Sequence, residues 1–235
     1  MAESITSDFT VSAVVFADDD HGRAAWSRLA QTATRKSIPA FAVPPREFEK
    51  LTDTVHAAGI ASVLIWKPQA FVPKEPSSNF RRVLICDRIA DPGNLGTLIR
   101  TAAGLGLDAV FLLPDTAELT NPKTVRAAAG ALFHIPVFED VSPDVLKSWT
   151  NGAEMTLIVA DAHRGESTPP KLSKRWALVI GGETIPLSKA WESTSTQWIT
   201  LPLHRGVESL NAAVAGAIIM DRLCRTIEPA PARRR

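Results

Sequence analysis

From residue 81 onward, short apolar runs alternate with segments of helical spacing, and this alternation constrains the fold more than any other feature of the chain. RRVLICDRI (81–89), AVFLL (109–113), MTLIVA (155–160), WALVIG (176–181) and WITLPL (198–203) are short, and most are nearly free of polar interruption. Strands that read this way are covered on both faces, as in a parallel sheet flanked by helices. Between them the spacing predicts a helix from Leu95 to about Leu105, with Asn94 as its cap, and another over 121–130, with Asn121 as cap and Pro122 in the first position. A closing helix is expected over 209–227, its buried face carrying Leu210, Val214 and Ile218. The expected fold is α/β with a mostly parallel sheet and ligand sites at the C-terminal strand ends.

The leading residues read as a separate small α/β unit. SAVVFA (12–17), IPAFAV (38–43) and ASVLIW (61–66) are strand-like, and 21–37 and 45–55 have helical spacing. KPQAFVPKEPSSNF (67–80), with its prolines and serines, has a linker's composition. The division expected is therefore 1–66, a linker at 67–80, a main domain at 81–227 and a flexible tail at 228–235.

Composition excludes several classes. No apolar run reaches the ~18–20 residues of a membrane span, and MAESITSDFT is polar and acidic, unlike a signal peptide. Cys86 and Cys224 cannot form a disulfide framework, and no Cys/His cluster has zinc spacing, so no metal is expected. A soluble cytoplasmic protein is expected. Lys plus Arg number 26 against 25 Asp plus Glu, so no overt basic excess marks a nucleic-acid surface. Any such contact has to come from a local cluster or from pairing two subunits.

Three loops carry the chemistry, each directly after an apolar run. DPGNLGTLIRTA (91–102) places Asn94 at a turn into a helix, with Gly96 allowing close approach and Arg100 six residues beyond Asn94. VIGGETIPLS (179–188) brings backbone N–H groups of two glycines, and the carboxylate of Glu183, to a strand end. LPLHRGVESLN (201–211) ends a strand at Pro202 and leads into the last helix, which Ser209 can cap with Asn211 in the first turn. Each alone is also an ordinary capped turn. Gly104-Leu-Gly106-Leu-Asp-Ala109 fits a dinucleotide fingerprint, but it follows a helix and opens a strand, the reverse of what pyrophosphate binding needs.

Taken in order, the three loops resemble the signature motifs of the SpoU/TrmH-type RNA 2'-O-ribose methyltransferases of the SPOUT class. Asn94 and Arg100 match the first motif; Gly181, Glu183, Leu187 and Ser188 the second; Pro202, Ser209, Leu210 and Asn211 the third. VRAAAGALFHIPV (125–137) is similar to the stretch between the first two, and the resemblance covers about 81–225. The sequence departs from the family at Pro186, where glycine is usual, at Gly182, and at the alanine of position 128.

The resemblance implies a C-terminal trefoil knot that binds S-adenosylmethionine, a homodimer, and a small RNA-binding domain over 1–66. It implies cofactor contacts from Gly182, Glu183, Leu201, Leu203 and Leu210, and a catalytic group of Arg100, Asn94, Glu183, Ser209 and Asn211. The implied activity is 2'-O-methylation of structured RNA, ribosomal RNA first and transfer RNA second. An arginine with a pKa above ~12 is better suited to phosphate binding than to proton abstraction. Two other readings stay open: a non-catalytic RNA- or cofactor-binding relative, and a generic doubly wound nucleotide-binding enzyme. Binding of S-adenosylmethionine without NAD or ATP separates them.

Overall fold

The computed structural model describes residues 4, 9–52, 58–73, 80–169, 172, 174–182, 185–192 and 196–227. The chain divides into two compact units, Met1–Lys67 and Pro68–Arg235.

In the first unit β1 (Thr10–Ala17) lies between β2 (Ala40–Val43), parallel to it, and β3 (Ile60–Ile65), antiparallel to it. The single helix expected over 21–37 is two, α1 (Asp20–Ser27) and α2 (Ala30–Arg35). Ser27 Oγ donates to the Ala24 carbonyl at 2.9 Å, and such back-bonding competes with helix continuation. Asp19 caps α1 through the Gly22 N–H at 2.7 Å, and Asp18 pairs with Arg23 at 2.9 Å. α3 (Pro45–Thr52) follows β2 and buries Phe48.

The second unit is a six-stranded, wholly parallel sheet of β4 (Arg82–Asp87), β5 (Ala109–Leu112), β6 (Val137–Phe138), β7 (Thr156–Ala160), β8 (Trp176–Gly181) and β9 (Gln197–Ile199). Its order is β6-β5-β4-β8-β7-β9. The order reverses between β4 and β8, and a crevice opens at the carboxyl ends of strands flanking such a switch point. β4, β5 and β8 are buried almost throughout, as their unbroken apolar runs require.

On one face of this sheet Val83, Ile85, Phe111, Leu157 and Val179 pack with Leu146, Trp149 and Trp191. Leu146 and Trp149 come from α6 (Pro143–Gly152), which the sequence reading did not anticipate; its Pro143 sits in the first turn. Short β6 was likewise not anticipated, because two residues are too few for a period. The stretch 67–80, expected as a linker, in part joins this core. Phe71 makes edge contacts with Phe111, Phe138 and Trp149, and Phe80 packs on the same rings.

The helices α4 (Pro92–Gly104), α5 (Pro122–Ala128) and α7 (Ala212–Ile227) complete the unit. α4 and α7 pack together, with Gly216 of α7 against Leu98 and Ile180. The buried face of α7 is Ala212, Ala213, Ile219, Met220 and Leu223; Val214 and Ile218, expected inside, are 49% and 37% exposed. The reason is close packing: small residues meet α4 and β8, which turns the larger Val214 and Ile218 outward. Asn121 caps α5 with its side chain on the Lys123 N–H at 2.9 Å and Pro122 in the first position, as expected. Gly104 closes α4 and Gly106 (φ +72) turns the chain back toward β5, so the fingerprint-like GLGLDA is a helix ending.

Candidate active site

The first loop differs from expectation in which residue caps it. α4 begins at Pro92, and its cap is Asp91, whose Oδ1 accepts the Asn94 N–H at 2.8 Å; Asn94 lies inside the first turn. Proline at the first helical position needs no N–H partner, which moves the start three residues earlier than Leu95. The other Asp91 oxygen takes Lys123 Nζ of α5 at 2.6 Å. The Lys123 side chain, and then the Asn94 N–H, hold the Asp91 carboxyl below the usual carboxylate range. Gly96 makes the close approach expected of it, but toward α5: a Cβ there would stand 2.4 Å from the Thr124 carbonyl oxygen.

The Asn94 side chain meets the third loop. Asn211 Nδ2 donates to Asn94 Oδ1 at 2.9 Å, joining the first and third motifs. Asn211, not Ser209, caps α7, its Oδ1 accepting from Ala213 N–H at 3.0 Å and Val214 N–H at 3.2 Å. Because the cap residue stands outside the helix, its amide nitrogen stays available for Asn94. Arg100 is exposed on α4, further along the outward row that starts at Asn94.

Beside this bridge lies a cavity of about 590 Å³ at the carboxyl ends of β7, β8 and β9. Gly182, Leu201, Leu203 and Leu210, expected to hold a cofactor, all line it, and so does Ser209. Glu183 lies outside the described residues. Asn94, Arg100 and Asn211 are not part of the wall, but Ala212, the neighbour of Asn211, is. The cofactor set and the polar set are thus adjacent, meeting at the start of α7.

The glycine pair acts differently from expectation. The Gly182 N–H is not free for a ligand; it donates to the Asp87 carbonyl at 3.1 Å. A Cβ on Gly182 would stand 2.2 Å from the Arg88 carbonyl oxygen, so only glycine allows the second loop to cross the end of β4 backbone to backbone. Pro186 is on the cavity wall, and among the described residues the N–H groups that tie this loop to β4 belong to Gly182 and Ser188.

Sequence reading missed the loop after β7. Asp161, His163 and Arg164 line the cavity; Asp161 Oδ1 accepts the His163 and Arg164 N–H groups at 2.8 and 2.9 Å, and the Arg164 guanidinium stacks 3.9 Å over Trp198. Its signal was present as DAHRG, an Asx-turn residue and a glycine after an apolar run. Glu192 and Ile185 on the wall were also unassigned, and Leu187, matched only as a motif residue, lines it too. Cys86, fully buried next to Asp87, has its thiol pushed well up by burial and is no nucleophile. Among the described residues no group of three or more His, Cys, Asp or Glu side chains could hold a metal ion, and no helix is long and apolar enough to cross a membrane.

Known proteins share both the sequence and this architecture. A profile of the SpoU rRNA Methylase family matches residues 81–221. The 23S rRNA (guanosine(2553)-2'-O)-methyltransferase RlmP of Bacillus subtilis is 35% identical over 188 residues, covering 79% of this chain and 73% of that protein. The 23S rRNA (uridine(2479)-2'-O)-methyltransferase of Streptomyces viridochromogenes is 32% identical over 58% of this chain and 50% of its own length. The crystal structure of the SpoU methyltransferase AviRb from Streptomyces viridochromogenes, in complex with AdoMet, superposes with a TM-score of 0.79 at 24% identity, covering 96% of this chain and 86% of that one, and so shares the fold. With a match over more than half its length, in a range that holds the loops of the cavity and the Asn94–Asn211 bridge, the chain belongs to the SpoU rRNA methylase family.

Proposed function

We propose that the protein transfers a methyl group from S-adenosylmethionine to a ribose 2'-hydroxyl of ribosomal RNA. The observation that carries this reading is the Asn211–Asn94 hydrogen bond, which ties the exposed polar row of α4 to the mouth of a cofactor-sized cavity. Its volume of about 590 Å³ suits a ligand the size of S-adenosylmethionine. The donor set suits it too. Ile180, Leu187, Leu201, Leu203 and Leu210 offer an apolar floor for a purine, and Asp161 and Glu192 supply acceptors for hydroxyl or ammonium groups. When bound, the cofactor supplies an activated methyl on a sulfonium.

The chain's own residues do the rest by positioning. The Arg100 side chain is exposed and makes no hydrogen bond or ion pair with other described residues, so its guanidinium is available for RNA phosphate and for charge developing at the attacking oxygen. Asn94 and Asn211 hold the bridge that sets the ribose beside the cavity, and Ser209 adds a hydroxyl on the same rim. Glu183 is assigned to this group on the family motif. Relatives that act on 23S rRNA favour ribosomal over transfer RNA as substrate.

In this reading the segment from β8 to α7 is the family's trefoil knot, supported by the tight crossing of Gly182 over Arg88. Residues 1–66 form the RNA-reading domain, and the enzyme works in the cytoplasm as a homodimer. The outward pair Val214 and Ile218 on α7 supports a subunit contact there, since Gly216 is already used within the chain. The test is to titrate S-adenosylmethionine by calorimetry and then map 2'-O-methyl sites in ribosomal and transfer RNA treated with the enzyme. Binding with methylation of a single ribosomal nucleotide is expected; affinity for NAD or ATP instead, or methylation confined to transfer RNA, would overturn the respective parts.

A further inference from the structure

At the end of β4, Asp87 is 1% exposed and no motif absorbed it. Its Oδ2 accepts two hydrogen bonds from residues more than 100 positions away along the chain, the Ser188 N–H at 2.7 Å and the Trp191 indole N–H at 2.7 Å. Its carbonyl accepts the Gly182 N–H at 3.1 Å. Among the described residues its second carboxylate oxygen, which is buried, has only Arg88 Nε, 3.3 Å away and not aligned as a hydrogen bond.

Asp87 grips the loop that forms one wall of the cavity, at both ends. Gly182, Ile185, Pro186, Leu187 and Glu192 line the cavity, and the anchored groups belong to Gly182, Ser188 and Trp191, interleaved with them. Trp191 is fully buried in the core on one side of the sheet, so its bond to Asp87 sets where its neighbour Glu192 stands on the wall. Ser188 in turn carries the 3-10 turn Lys189–Glu192, its carbonyl accepting the Trp191 N–H at 3.1 Å. The Asp87 backbone carbonyl therefore holds the Gly182 end of the wall, and its carboxylate holds the Ser188 and Trp191 end.

Resting on the cofactor reading above, we propose that Asp87 is a positioning residue for cofactor binding. It acts through Ser188 and Trp191 to hold residues 185–192 in the shape that receives S-adenosylmethionine. It touches neither cofactor nor RNA. Asparagine can offer one oxygen to the same two donors, whereas alanine offers none.

The experiment is calorimetric titration of S-adenosylmethionine into the full-length wild type, Asp87→Ala and Asp87→Asn, with RNA affinity and both KM values measured alongside. Asp87→Ala is expected to raise the cofactor Kd and KM by about 10- to 100-fold, the span for losing a charge-assisted hydrogen bond to an orienting group. RNA KM should stay unchanged, and Asp87→Asn should recover to within a few-fold of wild type. A purely structural role would lower the melting temperature yet leave the cofactor Kd of the folded protein where it was. Wild-type affinity in folded Asp87→Ala, or equal losses in the two variants, overturns the proposal. If Asp87→Ala does not fold, Trp191→Phe decides: a raised cofactor Kd supports it and an unchanged one overturns it. A wild-type chain that does not bind S-adenosylmethionine would sink the cofactor reading itself, and this inference with it.

Discussion

The side-chain amide of Asn211 donates to the side-chain oxygen of Asn94 at 2.9 Å, bringing together two residues 117 positions apart, one in the first turn of α4 and one at the cap of α7. The same Asn211 uses its oxygen to cap α7, so one side chain both starts a helix and fixes the orientation of a residue on another.

The two roles of Asn211 can be separated. Asn211→Ala removes cap and bridge, and should lower stability by about 1 kcal/mol, the usual cost of a lost cap. Asn211→Ser keeps a capping oxygen and loses the amide donor, so it should melt close to wild type while methyl transfer still falls by at least ~10-fold. Thermal melts beside single-turnover methylation check this; full activity in Asn211→Ser would show that the bridge is idle.

Arg100 is exposed on α4, so its removal leaves the core untouched. Arg100→Ala should therefore keep the melting temperature and the cofactor Kd, and reduce methyl transfer by about 100-fold or more, as expected when a bidentate phosphate contact is lost. Arg100→Lys should recover only part, because an ammonium lacks the planar fork. Wild-type turnover in the alanine variant would remove Arg100 from the mechanism.

Asp91 makes stability depend on acid in a defined direction. Lys123 and the Asn94 N–H hold its folded carboxyl below the unfolded value of about 3.9. A depressed carboxyl contributes stability that is present above the unfolded value and lost as pH falls through the folded one. Denaturant midpoints measured from pH 7 down to about 3 should fall less steeply for Asp91→Asn than for wild type. The difference at pH 7 should stay within about 1 kcal/mol, since the pair is solvent-exposed. Parallel curves for the two proteins would contradict it.

Where the chain is cut between its two units should matter. A protein beginning at Pro68 keeps Phe71 on Phe111, Phe138 and Trp149; one beginning at Phe80 loses it. The shorter protein should be less stable by about 2 kcal/mol, a part-buried aromatic's share of the usual cost. Both should bind S-adenosylmethionine, and both should lose most RNA methylation if residues 1–66 read the substrate. Equal melting temperatures would mean that Phe71 adds nothing to the core.

Local chemistry was legible in the amino-acid sequence wherever a residue's role is set by its near neighbours. The parallel sheet follows from unbroken apolar runs, the α5 cap from Asn121-Pro122, and the three loops from their place after strands. What the tertiary structure alone decided are the pairings across long stretches of chain. Asn94 gave up the cap to Asp91 because the helix starts at Pro92, and this left its side chain for Asn211. Gly182 is demanded by the Arg88 carbonyl, and Asp87 is bound to Ser188 and Trp191, more than 100 residues away. Val214 and Ile218 point outward because Gly216 brings α7 close to Leu98 of α4 and Ile180 of β8. Hydrophobic period and capping preference act over one or two turns of chain. A hydrogen bond between distant residues has no period, and it exists only once the sheet has brought its strand ends together.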